Sequence, residues 1–509
     1  MLCANKSIRL ASFAIAIGCV FTSTVSSARD EIRDSVVKLH VTQRSPNWQC
    51  PWMKDNPVEL SGSGVIIDGN RILTNAHVVL HASQILLQAD QSNVKIPGDV
   101  QFIAPDLDLA VVTARDKSFF KNRKPLDLAT GIPHLKETVN VYGYPKGGDQ
   151  LSVTEGIVSR IEYATTEFGG AILRIQIDAA LNPGNSGGPA IINGKIAGLA
   201  FGGFYQADNI GYLIAAEDIR YFLDDIADGI YNGKPNLHDV VLLNASNSTL
   251  RENLGLKGNM DGILVRDRLT SSEKCPLKRW DVLMAIGDHP IDRMGLVRVS
   301  DEFRLDFSYF IPKLAVNGKV PMAILRDGRT QYLDVPVSAK PDHLMPFVAN
   351  GKPRYFIHGP MVFMPMTQEL ANNLSTPEGE YFLRYCINPI LSRQYDVQRF
   401  PDEELVVLGQ RLFPHDISKG YEHNAFALVE TINKVKVKNF NHAVKLIRDA
   451  RGKYLTIGLC GRYNLLVFNR QELLDVTEEI LVDEGIRNQY SEDVKTIWEN
   501  NSTKEKITY

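Results

Sequence analysis

Ser186 lies in a run of small and turn-prone residues, NPGNSGGPA, residues 182–190. Such a run could form an ordinary surface turn, because Gly, Asn and Ser dominate turns for backbone reasons alone. It could also present a nucleophilic hydroxyl, since a tight turn with little side-chain bulk lets backbone N–H groups converge on an oxyanion. A serine hydroxyl is a weak nucleophile that needs a base, and the base needs an orienting group. The second interpretation therefore requires a histidine and a carboxylate elsewhere in the chain.

His77 is the histidine whose surroundings best suit a general base. It ends the stretch GSGVIIDGNRILTNAH, in which residues 65–67 predict a strand, Asp68-Gly69-Asn70 a hairpin turn and residues 72–73 the returning strand. A histidine that follows a buried hairpin is held rigidly. A hydrogen-bonded core histidine with no chemical role is the alternative that this pattern leaves open.

Two candidate carboxylates occur in APDLDLAVV, residues 104–112. Asp106 and Asp108 alternate with leucines, which predicts that both acids lie on one face of an extended segment. Asp108 adjoins the buried run, where a carboxylate is costly unless a group donates to it, and an imidazole N–H would be a suitable donor. We therefore assign Asp108 to the histidine and Asp106 to a solvated loop, with a swap of the two left open.

Three motifs, LTNAHVV, DLDLAVV and DAALNPGNSGGPA, occur in this order. Together with VYGYPKGGDQLSVTEGIVSRIE and NIGYLIAAEDIRYFL, they closely resemble the HtrA (Deg) branch of trypsin-fold serine proteases. The resemblance covers nearly all of residues 30–230. It implies Ser186 as the nucleophile, His77 as the general base and then acid, Asp108 as the group that fixes the histidine tautomer, and the backbone N–H groups of Gly184 and Ser186 as the oxyanion hole.

The substrate pocket is less visible in the sequence. Trypsin-like enzymes that select basic side chains carry an acid six residues before the serine, and here that position is Ala180. The resemblance therefore predicts a preference for small or medium aliphatic residues, with the pocket walled by Ala200, Phe201 and Gly202.

The remaining chain predicts two further domains. After a turn-rich linker, DGIYNGKPNLHD, residues 236–340 resemble a PDZ domain, with Trp280 in place of the usual glycine before Asp281 and Asp239 where the carboxylate-binding loop expects glycine. The first change predicts a differently built turn, and the second would repel a peptide carboxylate. Peptide capture and a packing or assembly role both stay open. Residues 345–500 resemble a degenerate PDZ-like domain of the plant-type Deg proteases, with a turn at Asn433 that lacks glycine and a helix whose apolar side carries Ala443, Val444, Leu446 and Ile447.

The amino-terminal residues predict export. Lys6 and Arg9, an uncharged stretch and small residues at Ser26 and Ala28 are typical of a cleaved signal peptide, residues 1–28. In a bacterial host this leader predicts the periplasm, and in a eukaryote the secretory pathway. An uncleaved anchor and a lipoprotein acylated at Cys19 are the alternatives.

Composition excludes several function classes. The 509 residues carry a formal net charge of −3 and no basic block, which argues against nucleic-acid binding. No Cys-x-x-Cys, His-Glu-x-x-His or P-loop motif occurs, so we expect neither a metal nor a nucleotide cofactor. The cysteines that remain after cleavage lie far apart, which predicts no disulfide framework within one domain: Cys50, Cys275, Cys386 and Cys460.

These observations predict an all-β, trypsin-like double β-barrel protease domain, residues 29–232, followed by two α+β PDZ or PDZ-like domains. The resemblance implies an exported, ATP-independent serine endopeptidase that hydrolyses unfolded or damaged proteins and forms a trimer-based homo-oligomer. A chaperone or binding protein with a silent or conditionally active protease fold is the alternative function.

Overall fold

The computed structural model of the chain describes residues 32–203, 210–238, 240–258, 260–269, 275–340, 342–409, 411–421, 425–461 and 465–500. The predicted leader, residues 1–28, and Asp239 lie outside these ranges.

The first unit contains a closed antiparallel barrel of six strands in the order β1-β2-β3-β6-β5-β4. Residues 68–70 connect β2 to β3, and Gly69 and Asn70 both have positive φ, which confirms the hairpin turn expected from the sequence. A short helix, α1, follows β3. The bounds are β1 Val36–Gln43, β2 Val58–Ile67, β3 Arg71–Thr74, α1 Ala76–Val79, β4 Ala82–Ala89, β5 Lys95–Ala104 and β6 Leu109–Ala114.

A second closed antiparallel barrel follows, in the order β10-β11-β12-β9-β8-β7, and the helix α2 continues directly from its last strand. Buried side chains of both barrels, among them Leu73, Tyr142 and Ile191, form one continuous core between them. The predicted double-barrel architecture is therefore confirmed. The bounds are β7 Thr138–Gly143, β8 Ser152–Thr165, β9 Ala171–Ile177, β10 Pro189–Ile192, β11 Lys195–Gly203, β12 Gly211–Ala215 and α2 Ala216–Asp225.

The linker expected after the protease unit has no strand or long helix at residues 229–235, but it packs firmly against that unit. Lys234 forms an almost fully buried ion pair with Asp218 of α2. The Asp218 carboxylate also accepts a hydrogen bond from the backbone N–H of Leu173. The linker is thus held against the protease unit and is more than a flexible spacer.

The central unit is built on a sheet in the order β13-β14-β15-β19-β20, with β16 paired to β15 and a separate β17-β18 hairpin. Asp327 and Gly328 both have positive φ between β19 and β20, as the sequence predicted. The bounds are β13 Val240–Leu243, α3 Ser248–Asn253, β14 Ile263–Arg268, β15 Val282–Ile286, β16 His289–Pro290, β17 Leu296–Arg298, β18 Arg304–Asp306, α4 Ile311–Leu314, β19 Lys319–Arg326 and β20 Arg329–Pro336.

Trp280 adopts a φ of +76°, the left-handed conformation that glycine favours. The prediction of a differently built turn is therefore wrong, because the chain keeps the glycine-like backbone in spite of the large side chain. The neighbouring Asp281 is buried and pairs with the guanidinium of Arg326 through both carboxylate oxygens, which anchors the turn.

The carboxy-terminal unit has two small sheets, β21-β22-β23 and β25-β24-β26-β27. Asn433 and Lys434 both have positive φ in the β24–β25 turn, which therefore forms without glycine, as expected. The apolar side of α7 buries Ala443, Val444 and Ile447, whereas Leu446 is only half-buried. The bounds are β21 Phe356–His358, β22 Met361–Pro365, α5 Gln368–Leu374, α6 Pro377–Tyr385, β23 Val406–Leu408, β24 Val429–Ile432, β25 Val435–Lys436, α7 Phe440–Arg448, β26 Tyr454–Leu459, β27 Leu465–Asn469, α8 Arg470–Asp483 and α9 Glu492–Glu499.

The loop between β1 and β2 joins the first barrel to the carboxy-terminal unit. Its Trp48 and Trp52 pack against the core of that unit. The Trp52 ring lies 6.1 Å from the Tyr355 ring and 5.7 Å from the Phe413 ring, measured between centroids. The first and last units are therefore in direct contact.

No helix among the described residues is long and apolar enough to cross a membrane. Within the same ranges, no group of three or more His, Cys, Asp or Glu side chains could hold a metal ion. Within the described residues, no disulfide bond joins Cys50, Cys275, Cys386 and Cys460.

We predict that Lys234→Met destabilises the protein by about 3 kcal/mol, because it leaves the Asp218 carboxylate buried without its partner. Chemical denaturation followed by tryptophan fluorescence measures this loss. Lys313→Met is the matched control, since Lys313 pairs with Glu217 at a partly exposed position, where such pairs contribute less than about 1 kcal/mol. Equal losses in the two variants would contradict the structural role of the buried pair.

Candidate active site

The main chain of His77, in helix α1, is held from two directions by side chains outside the helix. The backbone N–H of His77 donates to Oδ1 of Asp108 at 2.9 Å. The side-chain amide of Gln43 donates to the carbonyl oxygens of His77 at 2.8 Å and of Val78 at 3.2 Å. The position of the imidazole is thus fixed by β1 and by the segment before β6, as expected for a histidine placed after a buried hairpin.

Asp108 does not lie on an extended segment, so that prediction is wrong. Pro105–Leu107 forms a 3₁₀ turn, and Asp108 follows it with φ 53° and ψ 40° in the left-handed region. Proline favours the start of such a turn, and aspartate tolerates the left-handed conformation better than most residues. The side-chain amide of Asn75 donates to the Asp108 carbonyl at 3.0 Å and helps to hold this conformation.

His77 and Asp108 form a close hydrogen-bonded pair. Nδ1 of the imidazole lies 2.8 Å from Oδ2 and 3.0 Å from Oδ1 of the carboxylate. The side chain of His77 remains 43% exposed to solvent and that of Asp108 18%. Burial within the cleft alone would lower the pKa of His77, but the charge and hydrogen bond of Asp108, with a smaller effect of the Glu167 charge, raise the pKa above its ordinary value.

The Ser186 turn requires glycine at two positions. Gly184 and Gly187 have φ of +100° and +84°. A Cβ on Gly184 would lie 2.4 Å from the Tyr144 carbonyl oxygen, and one on Gly187 would lie 2.1 Å from the Ser63 carbonyl oxygen. The turn therefore fits against both barrels only because these side chains are absent.

The peptide groups around Gly184 and Ser186 have defined orientations. The Pro183 carbonyl accepts from the N–H of Lys146 at 2.7 Å, and the Asn185 carbonyl accepts from the N–H of Gly188 at 2.9 Å. In a trans peptide the N–H points opposite to the C=O, so the N–H groups of Gly184 and Ser186 point away from those partners. Neither N–H makes a backbone hydrogen bond within the described ranges, which leaves both free to bind an anion.

The structure brings Ser186 close to the helix that carries His77. Gly62 of β2 lies between the two segments. A Cβ on Gly62 would lie 2.6 Å from the Val78 side chain of α1 and 3.4 Å from the Ser186 carbonyl oxygen, so a single glycine separates α1 from the serine turn at this point. Among the residues described, no hydrogen bond joins the Ser186 hydroxyl to the imidazole. Such bonds are often long without substrate and shorten when it binds.

The predicted pocket residues lie beside this turn. The carbonyl of Ala200 accepts from the N–H of Gly187 at 2.8 Å, and the N–H of Ala200 donates to the Gly188 carbonyl at 2.9 Å. Ala200 is buried, and Phe201 and Gly202 are half-buried on the same strand. Ala180 is exposed, and residues 204–209 lie outside the described ranges.

Asp106 is not a solvated loop acid, contrary to expectation. The Tyr231 hydroxyl lies within 2.9 Å of both of its carboxylate oxygens, and the Thr166 hydroxyl donates to its carbonyl at 2.7 Å. Burial raises the pKa of the Asp106 carboxyl. Asp106 thereby ties the turn that carries Asp108 to the linker, and the swap of roles between the two acids finds no geometric support.

Sequence reasoning missed four residues that hold this site in place. Ser63, Asn75 and Gln43 act from the first barrel, and Lys146 acts from the loop after β7. Ser63 and Asn75 both lie in the stretch GSGVIIDGNRILTNAH that ends at His77. The available signal was a polar residue next to an apolar run, before residues 65–67 for Ser63 and after residues 72–73 for Asn75.

Comparison with known proteins adds independent information. The trypsin-like peptidase domain family matches residues 62–199, and the PDZ domain family matches residues 346–493. Protease Do-like 2, chloroplastic, from Arabidopsis thaliana is 33% identical over 468 residues, which cover 91% of this chain and 75% of that protein. The chain belongs to the Do-like (Deg/HtrA) family of serine proteases.

Two further relatives from Arabidopsis thaliana support this membership. Protease Do-like 4, mitochondrial, is 34% identical over 466 residues, 90% of this chain and 85% of that protein. Putative protease Do-like 3, mitochondrial, is 30% identical over 482 residues, 94% of this chain and 83% of that protein. As a member of the Deg/HtrA family with a trypsin-like peptidase domain, the chain is a serine endopeptidase.

The raised pKa of His77 predicts the acid limb of the pH profile. Only the neutral imidazole accepts a proton, so kcat/KM of this Deg protease should rise with pH through a pKa above the usual value of about 6.5. In Asp108→Asn the negative charge beside His77 is lost, and burial then lowers the pKa of the imidazole. The acid limb should therefore move to lower pH, while kcat falls about 10⁴-fold. Peptide hydrolysis between pH 5 and 9 measures both effects.

Glu167→Gln is the matched control, because Glu167 is exposed and contributes the smallest of the charge effects on His77. We expect a smaller downward movement of the acid limb and a nearly unchanged rate at high pH. An acid limb that moves equally in both variants would contradict the assignment of the main effect to Asp108.

Proposed function

We propose that Ser186, His77 and Asp108 are the catalytic triad of this protease. The observation that carries the proposal is the imidazole-carboxylate pair of the first barrel, whose histidine lies on a helix that is separated at Val78 by one glycine from the serine turn of the second barrel. His77 lies in the short helix α1, whereas Asp108 and Ser186 lie in turns, and the packing between the barrels supports these segments.

In the proposed reaction, Nε2 of His77 takes the proton of the Ser186 hydroxyl while Oγ attacks the carbonyl carbon of the scissile peptide bond. The carbonyl oxygen becomes an oxyanion that accepts hydrogen bonds from the N–H groups of Gly184 and Ser186. The imidazolium, stabilised by Asp108, then protonates the leaving amine as the C–N bond breaks. A water molecule repeats the sequence on the acyl-enzyme, releases the new carboxylate and restores the serine hydroxyl.

We further propose that the substrates are unfolded or damaged proteins and that no ATP is used. A protein segment must be extended to lie in a cleft between two barrels, and an unfolded chain meets this condition without prior work. The absence of a P-loop motif from the sequence is consistent with an ATP-independent reaction.

For specificity we propose a small or medium aliphatic side chain before the cleaved bond. Ala180 carries no charge that would select Lys or Arg, and Ala200, Phe201 and Gly202 offer an apolar wall. Peptides with valine at this position should be cleaved faster than matched peptides with arginine. The opposite order would contradict the proposed pocket.

The compartment and the oligomeric state remain predictions. The names of the relatives place those proteins in chloroplasts and mitochondria, which gives no support to a bacterial periplasm. We propose that residues 1–28 act as a targeting leader and that the protease assembles from trimers. Localisation of a reporter fused after residue 28 and analytical ultracentrifugation of the purified chain test these two points.

Cleavage of casein by residues 29–509, beside the Ser186→Ala variant and a tightly folded protein of similar size, tests the proposed function. We expect the intact protein to degrade casein, the variant to lose at least about 10⁴-fold in rate, and the folded protein to survive. Equal cleavage of folded and unfolded proteins would contradict quality control. No cleavage by either form, with equal suppression of aggregation, would favour the chaperone function.

A further inference from the structure

Ser63 lies on β2 of the first barrel and contacts the serine turn of the second. It is completely buried. Its hydroxyl lies 2.8 Å from the carbonyl oxygen of Gly184, to which it donates, and 2.8 Å from the N–H of Tyr144, from which it accepts. Its backbone N–H donates to the carbonyl of Ser186 at 2.8 Å. One residue therefore holds both residues of the proposed oxyanion hole.

The backbone of Ser63 is itself fixed. Its carbonyl oxygen accepts from the Thr74 hydroxyl at 2.7 Å, and a Cβ on Gly187 would approach the same oxygen to 2.1 Å. The strand therefore has no room to move relative to the serine turn. The Ser63 side chain consequently presents its hydroxyl to Gly184 from a rigid support.

The hydroxyl helps to fix which way the Gly184–Asn185 peptide faces. A hydroxyl has one proton, and here the N–H of Tyr144 occupies its acceptor side, so the proton is directed to the carbonyl of Gly184. Within the described residues, Ser63 is the one donor to that carbonyl. The N–H of the same peptide, that of Asn185, donates to the Asn182 carbonyl at 3.0 Å, so the peptide is held at both ends. Glycine has the widest conformational freedom of any residue, so Gly184 depends on these bonds to keep this orientation.

The two peptide groups that flank Gly184 are held by different parts of the fold. The N–H of Lys146 holds the Pro183 carbonyl, and the Ser63 hydroxyl holds the Gly184 carbonyl. Together they fix φ and ψ of Gly184 and hence the direction of its N–H. Release of the Pro183 carbonyl would let this N–H turn away from the position of the oxyanion, and release of the Gly184 carbonyl would loosen the turn on which the N–H is carried.

We propose that Ser63 is a positioning residue for peptide hydrolysis, whose hydroxyl keeps the N–H of Gly184 directed at the developing oxyanion. The inference rests on the proposed role of the Gly184 N–H. Because the negative charge on the oxygen is absent from the bound substrate and develops on the way to the tetrahedral intermediate, the hydroxyl of Ser63 acts on kcat and on transition-state analogues and leaves ground-state substrate binding unchanged.

The test compares Ser63→Ala with Ser35→Ala. Ser35 is equally buried beside the same barrel, and its hydroxyl also donates to a backbone carbonyl, that of Lys124, which is not part of the serine turn. For each variant, kcat and KM are measured with a fluorogenic peptide, Ki with a boronate of the same sequence, and Tm by calorimetry.

We expect Ser63→Ala to lower kcat about 10²-fold and to raise the boronate Ki by a similar factor, with KM changed less than about twofold. Ser35→Ala should change Tm but neither kcat nor Ki. Ser63→Cys keeps the shape of the side chain with a larger atom and a weaker donor, so it should lower kcat with unchanged KM even if Ser63→Ala folds poorly.

Two outcomes would overturn the inference. A loss in Ser63→Ala and Ser63→Cys that falls on KM, or that is matched by Ser35→Ala, would assign Ser63 a purely structural role. A wild-type chain that neither cleaves the peptide nor binds the boronate would overturn the proposed function and this inference with it.

Discussion

The active site depends on one close approach between the two barrels. At Gly187 the backbone of the serine turn lies so near the Ser63 carbonyl and the Thr74 hydroxyl that a Cβ would lie 2.1 Å and 2.3 Å from them. Only glycine permits this contact, which places the turn of the proposed nucleophile Ser186 against strands β2 and β3 of the first barrel. The chemistry of the site is thus a consequence of how tightly two otherwise independent sheets can pack.

The outer units extend this arrangement to the rest of the chain. The side chain of Asn350, at the start of the carboxy-terminal unit, accepts from the N–H of His81 just beyond α1 at 3.0 Å. Phe347 stacks edge-on against Phe168 of the β8–β9 loop, whose Thr166 in turn binds the Asp106 carbonyl. The segments beside His77 and Asp108 are therefore in contact with the carboxy-terminal unit.

The sequence was sufficient to predict the parts of the site that carry strong local signals. The hairpin before His77 and the glycine-rich turn at Ser186 follow from turn chemistry, the double-barrel class follows from the family resemblance of the motifs, and the structure agrees. The conformation of Asp108 was not predictable, because alternation of acids and leucines indicates an extended segment, whereas the turn is set by Pro105 and by a long-range bond from Asn75.

Other features are long-range contacts that no local pattern encodes. The pairing of Asp106 with Tyr231 joins residues 125 positions apart, and that of Ser63 with Gly184 joins residues 121 positions apart. At Trp280 a local pattern was present but misleading: the usual glycine is missing, yet the backbone keeps the glycine-like conformation beside the buried Asp281.

A crystal structure of the wild-type protease with a peptide boronate tests the central claim most directly. We predict boron bonded to Oγ of Ser186, with one boronate oxygen within hydrogen-bond distance of the N–H groups of Gly184 and Ser186. Boron bonded elsewhere, or an oxygen that faces neither N–H group, would contradict this account.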